Sequence, residues 1–550
     1  MKKNNTDVTS INYSGFNIMI GNHYPWKSLT NKKDNYKFWC IDSYKVDLAN
    51  FDIENIDKLA KYLSNKKGFY CGVFSTSKYL FCYTDKVRSY PLFYSFENNN
   101  LYVSDKADKL AELNYKLDNN SIIELQMSNF ISGKNTIFKN VFQIKPGEVL
   151  IYNKINTMFN KIKYYSYYSD NIYNQSKEEL IKQHSHIVNV IFSRLIEKIN
   201  GKDVLIPLSA GLDSRLVLCK LKSLGCKNIK TFSYGPVGNH DAKWAEKIAK
   251  HLDVPWTFVP YSKENVLNFF WSKKRKDYWK FAFNGVSTPF MVDEIAIDYL
   301  ISKRYISNVE NTVIINGQSG DFISGGHVSG YHLKEIDPDK NYDVDIILNA
   351  IMSKHYSLNK ILLKKHRNLI LDKITKELGV DKGSNYKGEY LIKLYERWEC
   401  EERQSKYVIN GQRSYDYRNI SWDLPLWDLE MMKFWVEVPY KYKINQNLYK
   451  EYLEQENLYG IFKDFNPSIW NWQRSGMIVF PIAKIVGLLF GSDAKDNFYN
   501  IVKYFGRYQN HYLPFGFREH LKNINKYNSP LGRYSKQLLK ELYPEIKREQ

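Results

Sequence analysis

The sequence has few cysteines and no long hydrophobic run. None of its six cysteines in 550 residues stands in a Cys-x-x-Cys spacing, so neither a zinc site nor a redox pair of that kind is indicated. We expect reduced, buried thiols, as is typical of a cytoplasmic protein.

The longest apolar run, residues 476–491, contains Pro481 and Lys484 and is too short to span a bilayer. It predicts a buried helix, with contact to a membrane surface as the alternative. The polar N-terminal residues do not resemble a secretory signal.

Acidic residues are also scarce relative to basic ones. There are 59 Asp and Glu against 79 Lys and Arg, a net charge of +20. Such a charge suits nucleic acid, an anionic membrane or an acidic substrate. Because the lysines are scattered rather than blocked, charge alone does not choose among them, and nucleic acid is not favoured. A chain of this length predicts at least two domains.

A short glycine-containing loop is the first candidate site. Residues 204–208 are apolar and predict a buried strand, Ser209-Ala-Gly-Leu-Asp-Ser214 predicts a tight turn, and a helix follows. Unpaired N–H groups and the helix dipole attract an anion such as phosphate to a helix N-terminus. A carboxylate at Asp213 inside such a loop suits phosphate only with a divalent cation between them. An ordinary turn without a ligand is the alternative.

A second loop of the same kind follows the apolar segment 313–315. It reads Asn316-Gly-Gln-Ser-Gly-Asp321 and also carries one carboxylate. Residues 231–235 predict a second buried strand, and a helical pattern over 241–252 follows it; two such strand–helix units predict a parallel α/β sheet. Ligands bind such sheets at the carboxyl ends of the strands, so the two loops could hold a metal–pyrophosphate between them. Here too, a turn without a ligand is the alternative.

Both loops resemble known sequences. The first is similar to the SGGxDS loop of ATP pyrophosphatases, with Ala210 in place of a glycine, and the second to the SGEGSDE segment of asparagine synthetases. The resemblance implies that ATP binds here and that Asp213 and Asp321 hold Mg²⁺. The residues that it assigns to ATP are Pro207, Ser209, Ala210, Gly211, Leu212, Asp213, Ser214, Tyr234, Asn316 and Gly317.

The N-terminal part resembles class II glutamine amidotransferase domains over residues 85–94, 101–105 and 136–147. The resemblance implies an α/β and α+β protein: an N-terminal αββα sandwich of the Ntn-hydrolase type over residues 1–165, then a PP-loop parallel α/β domain with a helical C-terminal part over 176–550. In that family the nucleophile is a cysteine directly after the initiator Met. Here Lys2 holds that position and the first cysteine is Cys40. We therefore expect no glutamine hydrolysis, and ammonia could come from a separate source.

Two further positions matter for catalysis. Residues 447–453 resemble a synthetase segment whose lysine, here Lys450, stabilises negative charge during attack on the acyl-adenylate. The catalytic glutamate of asparagine synthetases is replaced by Gln318, and the Glu that follows the Asp by Phe322. An amide cannot act as a general base, which argues against aspartate as the substrate.

The sequence therefore predicts an amide ligase of the asparagine synthetase type that forms AMP and pyrophosphate, with ATP and Mg²⁺. Its partners would be a small-molecule carboxylate and ammonia or another amine. The segment Gly317 to His327 resembles that of synthetase-like proteins linked to surface-polysaccharide synthesis, which suggests an acidic sugar. Asparagine synthetase proper, an intramolecular cyclase of the β-lactam or lasso type, a tRNA-modifying enzyme and an inactive scaffold remain alternatives. A homo-oligomer is left open.

Overall fold

The computed structural model describes residues 9–13, 15–21, 24–31, 36–42, 55–328, 333–463, 465, 472–506 and 513–548. Within them, an N-terminal pair of sheets is followed by a parallel sheet and a long helical region. The predicted fold class is confirmed in both parts.

The described residues of the N-terminal region form eleven strands in two sheets. The strands are β1 Thr9–Tyr13, β2 Phe16–Ile20, β3 Lys27–Asn31, β4 Tyr36–Asp42, β5 Tyr70–Ser75, β6 Tyr79–Thr84, β7 Phe93–Glu97, β8 Asn100–Ser104, β9 Phe142–Gln143, β10 Glu148–Asn153 and β11 Phe159–Lys163. One sheet has the order β1-β2-β8-β7-β9 and the other β11-β10-β6-β5-β4-β3. The apolar pattern over residues 11–20 suggests a single strand, but these residues form the antiparallel pair β1–β2, with the left-handed Gly15 in its turn.

The two sheets pack face to face through apolar side chains. Phe16 of β2 meets Tyr152 of β10 edge to face, with ring centroids 6.3 Å apart. The outer face of the six-stranded sheet is covered by helix α1 Ile56–Asn65, which buries Leu59 and Leu63 against it. Helices α2 Ala107–Ala111 and α3 Asn119–Ser128 follow, and α2 lies against β7 and β8. The result is a layered α/β sandwich.

The second region is organised by a parallel sheet in the order β14-β13-β12-β15-β18. Its strands are β12 Asp203–Pro207, β13 Ile229–Gly235, β14 Trp256–Pro260, β15 Thr312–Ile315 and β18 Ser421–Asp423, and a separate two-stranded pair is formed by β16 Asn341–Asp343 and β17 Asn385–Lys387. The central strands β12 and β15 are neighbours and run in the same direction. The loops that follow them therefore emerge side by side, as the sequence predicts.

Helices surround this sheet and form the C-terminal part. They are α4 Lys177–Ile199, α5 Leu212–Ser223, α6 His240–His251, α7 Lys263–Phe270, α8 Lys273–Ala282, α9 Val292–Ser302, α10 Gly320–Ile323, α11 Asp345–His355, α12 Lys360–Leu378, α13 Gly388–Trp398, α14 Arg413–Tyr417, α15 Leu429–Glu437, α16 Tyr440–Lys443, α17 Asn447–Glu456, α18 Trp472–Phe490, α19 Ser492–Gly506, α20 Phe517–Lys522 and α21 Leu531–Leu542. A π-helix, Glu399–Val408, directly follows α13. Helix α4 begins with a complete capping box of Ser176 and Glu179.

One expectation about the helical part is wrong. Residues 476–490 of the apolar run lie in α18, but the last side chains of this helix are exposed rather than buried: Leu488 is 78% exposed and Phe490 73%. The apolar composition gave no sign of this, because hydrophobicity predicts a need for cover but not whether the chain provides it. Among the described helices, none is long and apolar enough to cross a membrane.

Candidate active site

The loop between β12 and α5 is held in shape by its own serines. The Gly211 N–H donates to Ser209 Oγ at 3.0 Å, and the Ser209 N–H donates to Ser214 Oγ at 3.1 Å. Gly211, in an extended conformation, caps a helix of twelve residues. These bonds fix both hydroxyl groups at the start of α5, where the helix dipole favours an anion.

The second loop packs directly on the first. A Cβ added at Gly317 would lie 2.8 Å from the carbonyl carbon of Asp213, and one at Gly320 would lie 2.6 Å from its carboxylate. Real side chains do not tolerate such distances, so only glycine allows this approach of the two loops. The sequence suggested one loop on each side of a ligand, and the structure brings the two into contact.

Two carboxylates meet where the loops touch. The Asp321 N–H donates to Asp213 Oδ2 at 2.9 Å, and Tyr449 of α17 donates from its hydroxyl to Asp213 Oδ1, also at 2.9 Å. Burial, followed by the charge of Asp321, raises the pKa of Asp213 to about 7. The negative charge of Asp321 disfavours the charged form of Asp213, and a bound cation relieves such repulsion.

The donor set fits Mg²⁺ shared with phosphate. Within the described parts of the chain, no group of three or more His, Cys, Asp or Glu side chains is placed to hold a metal by itself. Mg²⁺ in phosphate-transfer sites binds through one or two carboxylates, while waters and the substrate's phosphates complete its shell. Asp213 and Asp321 supply that number of carboxylates.

Asp321 belongs to a chain of charged groups that sequence reasoning missed. Its Oδ2 lies 3.2 Å from His327 Nε2, and His327 Nδ1 is hydrogen-bonded to the fully buried Glu399 of the π-helix. Lys354 reaches the other oxygen of Glu399 at 2.8 Å. Burial disfavours a charged imidazole, but the charge of Glu399 and both hydrogen bonds outweigh it and raise the pKa of His327. The sequence signals for His327 were its position six residues beyond Asp321 and its place at the end of the segment that begins at Gly317.

The two predicted catalytic residues lie in very different surroundings. Gln318 is hydrogen-bonded at both ends: its Nε2 donates to the Val408 carbonyl at 2.9 Å, and its Oε1 accepts from Gln412. Lys450 has an exposed side chain on α17, one position after Tyr449. On the same helix, Tyr449, which the sequence did not single out, is hydrogen-bonded to the first loop. A role for Lys450 stays a prediction.

The residues predicted for the adenosine end lie at the ends of neighbouring strands. Pro207 ends β12 and Tyr234 lies near the end of β13. The Tyr234 ring stacks on Tyr261, with ring centroids 5.4 Å apart, and its hydroxyl donates to Asp293 at 2.9 Å. Asn316 begins the second loop, and its side-chain nitrogen lies 3.4 Å from the Tyr415 hydroxyl. Contact of these residues with a nucleotide stays a prediction.

The cysteines described in the N-terminal sandwich are buried. Cys40, Cys71 and Cys82 lie within strands and are at most 3% exposed. Burial raises the pKa of both Cys71 and Cys82. A thiol that stays protonated is a poor nucleophile, and a substrate amide does not reach a thiol that is buried.

Comparison with known proteins bears on the second region. Residues 200–456 match the family described as asparagine synthase, and no curated protein matches. A solved structure similar to part of the chain is glutamine phosphoribosylpyrophosphate amidotransferase from B. subtilis, complexed with ADP and GMP. It is 12% identical, and the match covers 43% of this chain and 73% of that one. Its TM-score of 0.17 is too low to support a statement about fold or function.

Proposed function

Because residues 200–456 match the asparagine synthase family, we propose that this protein adenylates a carboxylate and converts it to an amide. ATP is the expected cosubstrate, and AMP and pyrophosphate are the expected products. The observation that carries the proposal is the contact of two loops, each with one aspartate, at the ends of adjacent parallel strands.

The first loop is suited to the pyrophosphate end of ATP. Its hydrogen-bonded serines hold two hydroxyls and the first N–H groups of α5 in one place. Donors fixed before the reaction stabilise charge that develops on a leaving pyrophosphate without reorganising, and this is where electrostatic catalysis gains most. Ser209, Gly211 and Ser214 are the residues that we assign to this task.

Asp213 and Asp321 are the residues that we assign to Mg²⁺, which when bound would neutralise charge on the phosphates. The hydroxyl of Tyr449 fixes the orientation of the Asp213 carboxylate. Burial and the neighbouring charge of Asp213 raise the pKa of Tyr449, so its hydroxyl stays a donor. His327 positions the Asp321 carboxylate in the same way from the other side.

Gln318 supports a substrate other than aspartate. Its amide is neutral and both its polar ends are already hydrogen-bonded, so it neither takes a proton from an amine nor pairs with an ammonium group. An acidic sugar, whose hydroxyls need no fixed counter-charge, suits such a site better. Lys450 could stabilise the oxyanion formed when the amine attacks, because its exposed side chain on α17 is not tied down by burial.

Free ammonia or another amine is the nitrogen donor that we favour. The sandwich resembles a glutaminase domain, but the cysteines described in it are buried within its strands. None of them is placed as an accessible, activated thiolate, which glutamine hydrolysis by a cysteine requires.

The proposal is tested by supplying ATP, Mg²⁺ and ammonium to the full chain with a panel of acids. We expect pyrophosphate release with uronic acids or with sugar nucleotides that contain them. Mass spectrometry should detect a product in which the carboxylate has become an amide. Without an amine, acid-dependent exchange of pyrophosphate into ATP should persist, because adenylation precedes amide formation.

Each negative outcome would contradict a different part of the proposal. Turnover of aspartate alone would contradict the acidic-sugar assignment, and efficient use of glutamine would contradict the choice of nitrogen donor. Absence of pyrophosphate release with every acid and amine would contradict the ligase function itself.

A further inference from the structure

The hairpin formed by α18 and α19 ends in an exposed apolar cluster. Five large side chains within nine residues are exposed: Ile482 by 43%, Ile485 by 55%, Leu488 by 78%, Leu489 by 69% and Phe490 by 73%. We call these five residues the hairpin tip. Single exposed hydrophobic residues are common on proteins, but a cluster of this kind marks a surface that contacts something else.

The hairpin is attached to the protein away from this tip. Asn497 of α19 accepts a hydrogen bond from Lys360 at 2.8 Å and donates one to Asn525 at 2.7 Å. Three residues further on, Asn500 donates to Asn528 at 3.0 Å. These contacts fix α19 from its second turn onward, so the end of α18 lies at the free end of an anchored hairpin.

The distribution of the tip around α18 indicates what covers it. At 100° per residue, Ile482, Ile485 and Leu489 fall on one face, while Leu488 and Phe490 extend the apolar surface to a span of about 200°. A partner protein's groove covers one face of a helix. The upper hydrocarbon of a bilayer surrounds an inserted helix end on several sides at once, and so matches this distribution.

The charge of the protein suits an anionic surface. The chain carries a net charge of +20. Next to the tip Lys484 and Lys495 are exposed, but so are Asp493 and Asp496, so the charges around the tip balance. Attraction to anionic lipid therefore comes from the chain as a whole, and the apolar tip supplies the anchoring.

We propose that this protein binds peripherally to anionic membranes by inserting the hairpin tip at the boundary between headgroups and acyl chains. Interfacial helices bury their apolar side chains to a depth of about 5–10 Å. An exposed tip of little more than two turns is long enough for that depth. The proposal is independent of the reaction that the protein catalyses.

The test is flotation of the full chain with vesicles. We expect binding to vesicles of phosphatidylcholine mixed with phosphatidylglycerol, and weaker binding to phosphatidylcholine alone. The variant Leu488→Ser, Leu489→Ser, Phe490→Ser should bind the mixed vesicles more than tenfold more weakly. The matched control is Ile155→Ser, Met158→Ser, which removes similarly exposed side chains, 76% and 68%, from the turn between β10 and β11. It should bind like the unaltered protein.

The remaining outcomes decide against the proposal. It fails if the unaltered protein floats with neither kind of vesicle, or if the tip variant binds as tightly as the control while both keep the same circular dichroism spectrum. The main alternative is that the tip binds a second copy of the chain, and sedimentation tests it. A dimer that the tip substitutions convert to a monomer, without vesicle binding, would support that alternative.

Discussion

Two aspartates, one in each region of the molecule, differ in how their carboxylates are used: Asp85 is buried and Asp213 is half-buried. Asp85 of the sandwich accepts hydrogen bonds from the backbone N–H groups of Tyr70 at 2.8 Å, Val87 at 2.9 Å and Ser89 at 3.2 Å, and another from the Ser89 hydroxyl. Asp213 of the first loop has two donors, the Asp321 N–H and the Tyr449 hydroxyl. Asp213 also has a second carboxylate beside it.

The difference separates a structural carboxylate from one available for chemistry. Burial raises the pKa of Asp85, but four donors oppose that rise: three come from the turn of Val87 and Ser89 that the carboxylate holds together, and one is the Tyr70 N–H of β5. Around Asp213, burial and a like charge both raise the pKa. Folding alone gains nothing from placing two carboxylates together, so the arrangement is better explained by a cationic ligand.

The largest effects are expected from removing these two charges. Asp213→Asn should lower pyrophosphate release by at least about 100-fold, because it removes a proposed metal ligand. Its melting temperature should change little or rise, since the substitution relieves repulsion. Asp85→Asn should do the opposite, with a loss of about 2–4 kcal/mol of stability and a nearly unchanged kcat of the folded fraction. Calorimetry on both variants measures the change in stability, and steady-state kinetics measures the change in turnover.

A destabilised Asp213→Asn variant with normal turnover would assign Asp213 a structural role like that of Asp85. Loss of activity in both variants at full stability would mean that the sandwich acts on the reaction directly.

A smaller effect on activity is expected from a pair of tyrosines on α17. Tyr449→Phe removes the donor to Asp213 and should slow turnover by about 10- to 30-fold, in line with one charge-assisted hydrogen bond. The hydroxyl of Tyr452, one turn further on, is buried and has no hydrogen-bond partner among the residues that the structure describes. Tyr452→Phe should therefore leave turnover unchanged and keep or slightly raise the melting temperature. Equal losses in the two variants would show that packing of α17 matters rather than the bond to Asp213.

These contacts show what could and could not be predicted from the sequence. The two loops were identifiable because each is a local pattern: an apolar strand, small residues and one aspartate within about ten positions. Tyr449 and Glu399 were not, since they reach the site across 236 and 72 positions of the chain, to Asp213 and His327. Long-range contacts leave no local periodicity. For the same reason the exposure of the α18 end went unpredicted: apolar spacing specifies a helix but not its neighbours.

A pH effect is expected from His184, which is buried on α4 among aromatic rings, the nearest being Tyr452 with its ring centroid 4.5 Å away. Burial, with repulsion from Lys220, lowers the pKa of His184 from 6.5 to about 3. Below pH 6.5 the unfolded chain binds a proton that the folded chain does not. Stability from this group is therefore complete above pH 6.5 and falls by about 1.4 kcal/mol per pH unit as the pH drops towards 3.

His184→Phe should flatten the dependence of unfolding free energy on pH between 6.5 and 4, as measured by urea titration at each pH. The exposed His186 of the same helix is the matched control, and His186→Phe should leave the slope unchanged. Identical slopes in all three proteins would show that other groups account for acid sensitivity.

The smallest effects are expected from the thiols of the sandwich. In the folded protein, Cys40, Cys71 and Cys82 should react with iodoacetamide far more slowly than the partly exposed Cys226, because burial denies access and keeps Cys71 and Cys82 protonated. Replacing Cys40 by Ser should leave ammonia-dependent pyrophosphate release unchanged, since no step needs this thiol. Mass spectrometry of time-resolved labelling measures the first result. Rapid alkylation of Cys40, coupled to loss of glutamine-dependent turnover, would instead make the sandwich a second reaction centre. The sandwich and the region of the two loops would then no longer differ in having only structural or only reactive groups.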